Sequence, residues 1–379
     1  MNILFVVVVP FPFGDASSIR AFNLCKMMNL AGNQVHVISD YPSKNAVSEQ
    51  LTFCTYEDAE SKYDKGSIAL KSLHAVEAYL DENPTDVIMM NARYDRYDKM
   101  AQIAKKRNLK LIIENCEWYD PSSFRLGRLD PRYWMNEKMI RSGFKKADGF
   151  ISISELLDEH NSGFGKVSVR IPTILDVRGV VWKERNDHTK LELVYAGSLG
   201  KSKELLGPII RVLADNEELR NRIVLHVYGP SAETVEKNTK EPGLLQKAGE
   251  SVIIHGRVPQ PQVQDIMRNA DFVFFMRPQR RSSDAGFPTK LGESMSVGTP
   301  VMTNDTGDIA KYVRSGENGL LIASNCEDAV CDTLMQAIHM SADDLAEMRK
   351  NARATAEVSF EYRRYVASFS EMMSKVSMR

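Results

Sequence analysis

Short apolar runs rich in β-branched residues recur along the chain, at residues 3–9, 35–38, 87–90, 111–113 and 150–153, with helix-length stretches between them. A run that is apolar at every position buries both faces of its strand. Parallel strands covered by helices on both sides need this, whereas antiparallel strands with one wet face do not. The pattern then restarts at residues 193–197 and continues at 223–229, 252–256, 272–275, 301–303 and 320–322. The expected fold is therefore α/β, with two Rossmann-like doubly wound domains.

The seam falls in residues 183–190, a polar and charged stretch without apolar period that reads as a linker. Domains are expected at 1–182 and 183–355, followed by a tail over 356–379. Tyr362, Tyr365, Val366, Phe369 and Met372 recur there at helical intervals, giving an amphipathic helix whose aromatic face needs something to dock on. A formal net charge of -1 over 379 residues lacks the basic footprint of a dedicated nucleic-acid binder. Five scattered cysteines, with Cys326 and Cys331 too far apart for a Cys-x-x-Cys pair, indicate neither a disulfide framework nor a zinc site. A reducing cytoplasm fits. Residues 3–12 lack a basic leader and are too short to span a bilayer, so they read as a buried first strand. The histidines are isolated and read as structural.

Two segments carry chemistry. Phe287-Pro288-Thr289-Lys290-Leu291-Gly292-Glu293 sets a cation and a carboxylate three residues apart at the opening of a helix. Backbone N–H groups near Pro288 and Thr289 would face anionic oxygens, Lys290 would neutralise them, and Glu293 would accept ribose hydroxyls. A solvated lysine–glutamate pair is the plainer alternative. Gly197-Ser198-Leu199-Gly200-Lys201-Ser202-Lys203 follows the first strand of the second series, and a diphosphate fits over such a turn. No Gly-x-Gly-x-x-Gly follows either first strand and there is no P-loop, so nicotinamide, flavin and P-loop chemistry lack support.

In order, the chain also holds Pro10-Phe11-Pro12-Phe13-Gly14, Tyr195-Ala196-Gly197-Ser198-Leu199-Gly200, Tyr228-Gly229-Pro230, His255-Gly256-Arg257-Val258, Asn269-Ala270-Asp271 and Gly316-Glu317-Asn318-Gly319. With residues 287–301 these resemble retaining glycosyltransferases of the GT-B fold, glycosyltransferase family 4, over nearly the whole chain. The resemblance implies a nucleoside-diphosphate sugar in a cleft between the domains and transfer to an acceptor hydroxyl with retained configuration. It further implies a cell-surface polysaccharide or glycolipid product. Lys203 and Lys290 inherit the diphosphate and Glu293 the ribose, with Gly14, Ser198, Lys201, Tyr228, Arg257, Val258, Pro288, Thr289 and Leu291 as further donor contacts. Two departures stand out. The family's first glutamate falls at Ala285, with Asp284 either a substitute or a loop acid, and its basic residue after Gly197 is Ser198. The family's C-terminal helix returns to the first domain, which the tail would do here. No cofactor is implied, and without an Asp-x-Asp no metal is expected.

The acceptor side is expected in the first domain at Glu114-Asn115-Cys116-Glu117-Trp118-Tyr119-Asp120-Pro121, where a strand ends. One of Glu114, Glu117 and Asp120 would orient the acceptor hydroxyl, with Glu117 and Asp120 taken as catalytic candidates. Trp118 and Tyr119 either stack on a sugar or pack. Residues 99–146 are locally basic with interleaved Phe124, Tyr133, Trp134 and Phe144. They present either a solvated face or a peripheral contact with the inner membrane surface and a lipid-linked acceptor. A nucleotide-sugar binder, or an isomerase of the same fold, is the alternative to a transferase.

Overall fold

The computed structural model describes residues 1–45, 50–63, 65–184, 186–199 and 204–378. The chain divides into two compact units, the first formed by Met1–Asp176, Asp284–Phe287 and Glu361–Arg379, the second by Val177–Ser283 and Pro288–Phe360.

The first unit holds a seven-stranded sheet of β1 (Asn2–Pro10), β2 (Gln34–Tyr41), β3 (Thr55–Asp58), β4 (Val87–Asn91), β5 (Lys110–Asn115), β6 (Gly149–Ser152) and β7 (Val167–Arg170). Their order is β3-β2-β1-β4-β5-β6-β7, and every pairing is parallel. The chain direction across the sheet reverses between β1 and β4, so crossover helices open a crevice at those strand ends. Loop and helix meet there through Asp15, whose carboxylate caps the helix Ala16–Leu30 by accepting from Ser17 N at 2.9 Å and Ser18 N at 3.1 Å.

The tail completes this unit. A short 3-10 turn over Tyr362–Tyr365 leads into the helix Val366–Ser377, which packs on the helix Ala16–Leu30 and on β7. Tyr362, Phe369, Met372, Met373 and Val376 join one apolar cluster with Ile3, Phe5, Leu24 and Ile151. Gly149 in β6 makes room for it, because a Cβ there would lie 2.9 Å from Val376 Cγ2.

The second unit repeats the design with β8 (Leu191–Ala196), β9 (Ile223–Tyr228), β10 (Val252–Gly256), β11 (Phe272–Phe275), β12 (Val301–Asn304) and β13 (Gly319–Ile322). The order β10-β9-β8-β11-β12-β13 is again all parallel and reverses between β8 and β11. Its core gathers Leu193, Tyr195, Leu225, Phe272, Phe274 and Met302 from the strands with Leu213, Val330 and Leu334 from covering helices. Two buried arginines of the helix Ala342–Ser359 fasten the linker segment to it. Arg349 donates to the carbonyls of Lys183, Arg268 and Ala270, and Arg353 to those of Val177, Val180 and Ser296. Each guanidinium thereby spends most of its donors on backbone carbonyls of the linker segment and of neighbouring helix ends.

Candidate functional site

In the second unit, three glycines meet at the carboxyl ends of adjacent strands. Gly197 N–H donates to Tyr228 O at 3.0 Å and Gly229 N–H to Gly256 O at 2.7 Å. Gly229 has φ +111, and a Cβ on it would stand 2.1 Å from Gly197 O, so only glycine fits. A Cβ on Gly197 would lie 2.6 Å from both Cε and Nζ of Lys290. The lysine therefore lies directly on the backbone where β8 ends, and the missing side chain is what admits it.

Lys290 reaches this point from the first turn of the helix Thr289–Ser296, anchored by buried Leu291 and Met295. Its Nζ donates to both oxygens of Glu204, at 2.7 and 2.8 Å, and sits 5.1 Å from the ring centre of Tyr195. Tyr195 OH donates to Glu204 Oε2 at 2.5 Å. Burial, reinforced by the Glu204 charge, pushes the Tyr195 hydroxyl far up, so it stays a donor. Nothing in the sequence singles out Glu204. Next to Lys201 and Lys203 it reads as part of an exposed charge cluster, yet only 9% of its side chain is exposed.

Glu293 lies one turn along the same helix, half-buried. Burial raises its pKa above the ordinary value while the Lys290 charge opposes the rise. Pro288 is buried, Thr289 half-buried, and Leu291 fully buried, with its N–H already given to Pro288 O at 3.1 Å. That leaves Leu291 as packing. Tyr228 stacks on His255 with ring centres 4.2 Å apart and 5° between planes. His255 meets His226 at 2.8 Å, and His226 meets Glu192 at 2.5 Å. Ser198 and Arg257 are exposed and Val258 half-buried beyond the same strand ends. Lys201 and Lys203, with Gly200 and Ser202, lie outside the described residues.

In the first unit, Gly14 sits where β1 hands over to its helix, and a Cβ there would meet Ser18 Oγ at 2.7 Å and Pro10 Cβ at 2.9 Å. Glu114 is not a free acceptor-side acid. It is buried and accepts from Arg20 Nε, Asn91 Nδ2 and Cys116 Sγ, each at 2.6 Å. Arg20 also donates to Pro172 O at 2.5 Å and Ile171 O at 3.0 Å, so the ion pair ties four segments together. Trp118 is packing rather than a sugar platform: buried, it donates to Glu137 Oε1 at 2.9 Å and lies 4.5 Å from the His160 ring. Asp120 caps the turn Pro121–Ser123 by accepting from Ser122 N at 3.0 Å and from the Ser122 hydroxyl. Glu117 is half-buried and hydrogen-bonds Tyr119, whose hydroxyl is pushed far up first by burial and then by that carboxylate. Ala285 is buried, with its carbonyl accepting from Ser154 Oγ at 2.6 Å, and Asp284 is half-buried beside it. Among the described residues no group of three or more His, Cys, Asp or Glu is arranged to hold a metal ion.

Residues 180–355 match the family described as glycosyl transferases group 1. Over 108 residues the chain is 30% identical to a protein of Escherichia coli (strain K12) whose name assigns it provisionally to colanic acid biosynthesis as glycosyltransferase WcaL. That match takes in 28% of this chain and 26% of the relative, so it spans about a quarter of that protein. Among solved structures, sucrose-phosphate synthase from Thermosynechococcus elongatus superposes with a TM-score of 0.76 at 16% identity, covering 100% of this chain and 99% of its own. Anabaena HepE, solved in complex with UDP, gives a TM-score of 0.65 at 16% identity, covering 99% and 100%. Identities this low carry the fold alone. The two parallel sheets are those of the GT-B architecture, and residues 180–355, with their glycine-lined strand ends and overlying lysine, are a glycosyl transferases group 1 domain.

Proposed function

We propose that the protein transfers a sugar from a nucleoside-diphosphate sugar to an acceptor hydroxyl with retained anomeric configuration, in cell-surface polysaccharide or glycolipid assembly. The observation that carries this reading is the Lys290 ammonium resting on Gly197 at the carboxyl end of β8. A diphosphate at that strand end finds a cation already in place, which is where charge develops as the glycosidic bond breaks. In the reaction the departing phosphate oxygen takes the acceptor proton on the face from which it leaves. Lys290 and Lys203 stabilise the diphosphate, and Glu293 holds the ribose. Tyr228, Arg257 and Val258 border the base, and Glu117 or Asp120 orients the acceptor, a carbohydrate or lipid-linked hydroxyl. The absence of an Asp-x-Asp supports a reaction without a metal-bridged diphosphate.

HepE, which has the same fold, was solved with UDP, which supports a nucleoside-diphosphate donor, and the WcaL name supports the polysaccharide product class. The test is incubation with UDP-, GDP- and ADP-sugars and candidate acceptors. Release of nucleoside diphosphate and an NMR coupling constant matching the donor's anomer are expected. Binding without release would make the protein a nucleotide-sugar binder, and an altered sugar without an acceptor product would make it an isomerase.

A further inference from the structure

Within the basic region 99–146 the structure sorts the residues in a way their order does not suggest. Tyr133 and Phe144, two of the interleaved aromatics, are buried in the core of the first unit. The apolar groups left outside are others: Leu126 is 60% exposed, Leu129 86%, Trp134 58% and Met135 48%. Leu126 precedes and Leu129 ends the 3-10 turn Gly127–Leu129, while Trp134 and Met135 lie on the outer face of the helix Pro131–Arg141. Single exposed apolar residues are ordinary, but four within ten positions form a patch that water alone does not account for.

Charge sorts the same way. Between Pro121 and Lys146 the two acids, Asp130 and Glu137, are both buried. Asp130 caps its helix and binds Arg132, and Glu137 holds Trp118 and Arg141. Arg125, Arg128 and Lys138 are exposed and enter no ion pair among the described residues. Trp134 Nε1 donates to Arg128 O at 2.7 Å, which satisfies the indole N–H within the protein and leaves the ring free to enter an apolar layer.

We infer that this surface, Leu126, Leu129, Trp134 and Met135 framed by Arg125, Arg128 and Lys138, seats the protein on an anionic lipid bilayer. Apolar side chains insert at the acyl boundary while unpaired cations meet the lipid phosphates, the two-signal arrangement that reversible interfacial binding requires. No helix of the described residues is long and apolar enough to cross a membrane, so the contact is interfacial. The inference rests on nothing in the nucleotide site and stands or falls separately from the proposed transfer.

The test is co-sedimentation of the full chain with vesicles of phosphatidylcholine alone or with anionic phosphatidylglycerol. Binding to the anionic vesicles, weakened by salt, is expected. Arg125→Ala/Arg128→Ala should lower the partition coefficient by on the order of 30-fold. Leu129→Ser/Trp134→Gln should weaken binding even at low salt, where charge attraction is strongest. Brominated acyl chains should quench part of the wild-type tryptophan fluorescence, and Trp134→Phe should abolish that part. All these side chains are exposed, so an unchanged melting temperature is expected and confirms folding. Equal binding to both vesicle types, binding indifferent to these substitutions, or no binding overturns the inference. So does a lipid-free dimer dissociated by Leu129→Ser/Trp134→Gln without vesicle binding, which would assign the patch to a second copy.

Discussion

Lys290 and Glu204 lie 86 positions apart in the chain, yet the ammonium of one meets both carboxylate oxygens of the other at 2.7 and 2.8 Å. The proposed diphosphate cation is thus already held by an internal carboxylate, which fixes it on Gly197 before any ligand arrives. A preorganised cation loses less side-chain freedom on binding than a mobile one.

That pairing gives Lys290→Ala two effects. Turnover should fall by on the order of a hundred- to a thousand-fold, as expected when a group facing developing charge is removed. Stability should also fall, by on the order of 3 kcal/mol, because the buried Glu204 side chain loses its cationic partner. Adding Glu204→Gln should return much of the stability and none of the turnover. Denaturant melts and a nucleoside-diphosphate release assay on all three variants would check this. Wild-type turnover in Lys290→Ala would remove the lysine from the site.

Glu293→Gln should raise the KM for donor with a smaller effect on kcat, since ribose is held in ground and transition states alike. The same change should stabilise the protein at neutral pH. Burial raises this carboxyl's pKa above the ordinary 4.5, so the folded state binds its proton more readily than the unfolded chain. Stability is therefore lost as pH rises through the raised pKa, where wild type must bury a charge. The gain from glutamine should shrink as pH falls through that window and vanish below the ordinary value. A pH series of melting curves for both proteins decides it, and a constant difference down to strongly acid pH would contradict the argument.

Glu114→Gln strands the buried Arg20 guanidinium and should cost about 3–5 kcal/mol. Glu117→Gln, at a half-buried position, should leave the melting temperature nearly unchanged while lowering turnover if that carboxylate orients the acceptor. Comparing the two in thermal and kinetic assays separates a structural acid from a working one. Equal thermal losses would show that Glu117, too, is structural.

Ending the chain before Glu361 should open the first unit's core, because Phe369, Met372 and Val376 share a cluster with Ile3 and Phe5. Phe369→Ala alone should cost about 3–5 kcal/mol. Hydrogen exchange should accelerate in β1, β6 and β7. Unchanged protection there would mean that the helix Val366–Ser377 contributes little to that core in solution.

Much of the architecture is legible in the chain because buried parallel strands carry unbroken apolar runs, as at residues 3–9 of β1, 87–90 of β4 and 272–275 of β11. The two strands that escape this reading, β3 with Thr55-Tyr56-Glu57-Asp58 and β7 with Val167-Ser168-Val169-Arg170, are sheet edges. One side of each lies open to water, and the polar residues these two strands carry leave no apolar run to mark them, unlike the edges β10 and β13 of the second sheet. The site divides similarly. Lys290 and Glu293 are visible because a helix-opening turn fixes their spacing. Glu204 is not, because its burial depends on where Tyr195 and Lys290 arrive from other strands and helices. Glu114 misleads for the converse reason, an acid at a strand end whose partners lie in distant segments.

The helix Val366–Ser377 also sets an order of events during synthesis. Residues 1–176 leave the ribosome long before the residues that close their core, whereas the second unit, ending at Phe360, has all its strands beforehand. Unit two is thus able to finish folding first, although it is translated second. Through that interval the nascent first unit exposes the apolar seat prepared for Phe369 and Val376, the stage at which a growing chain is most open to aggregation and to chaperone capture.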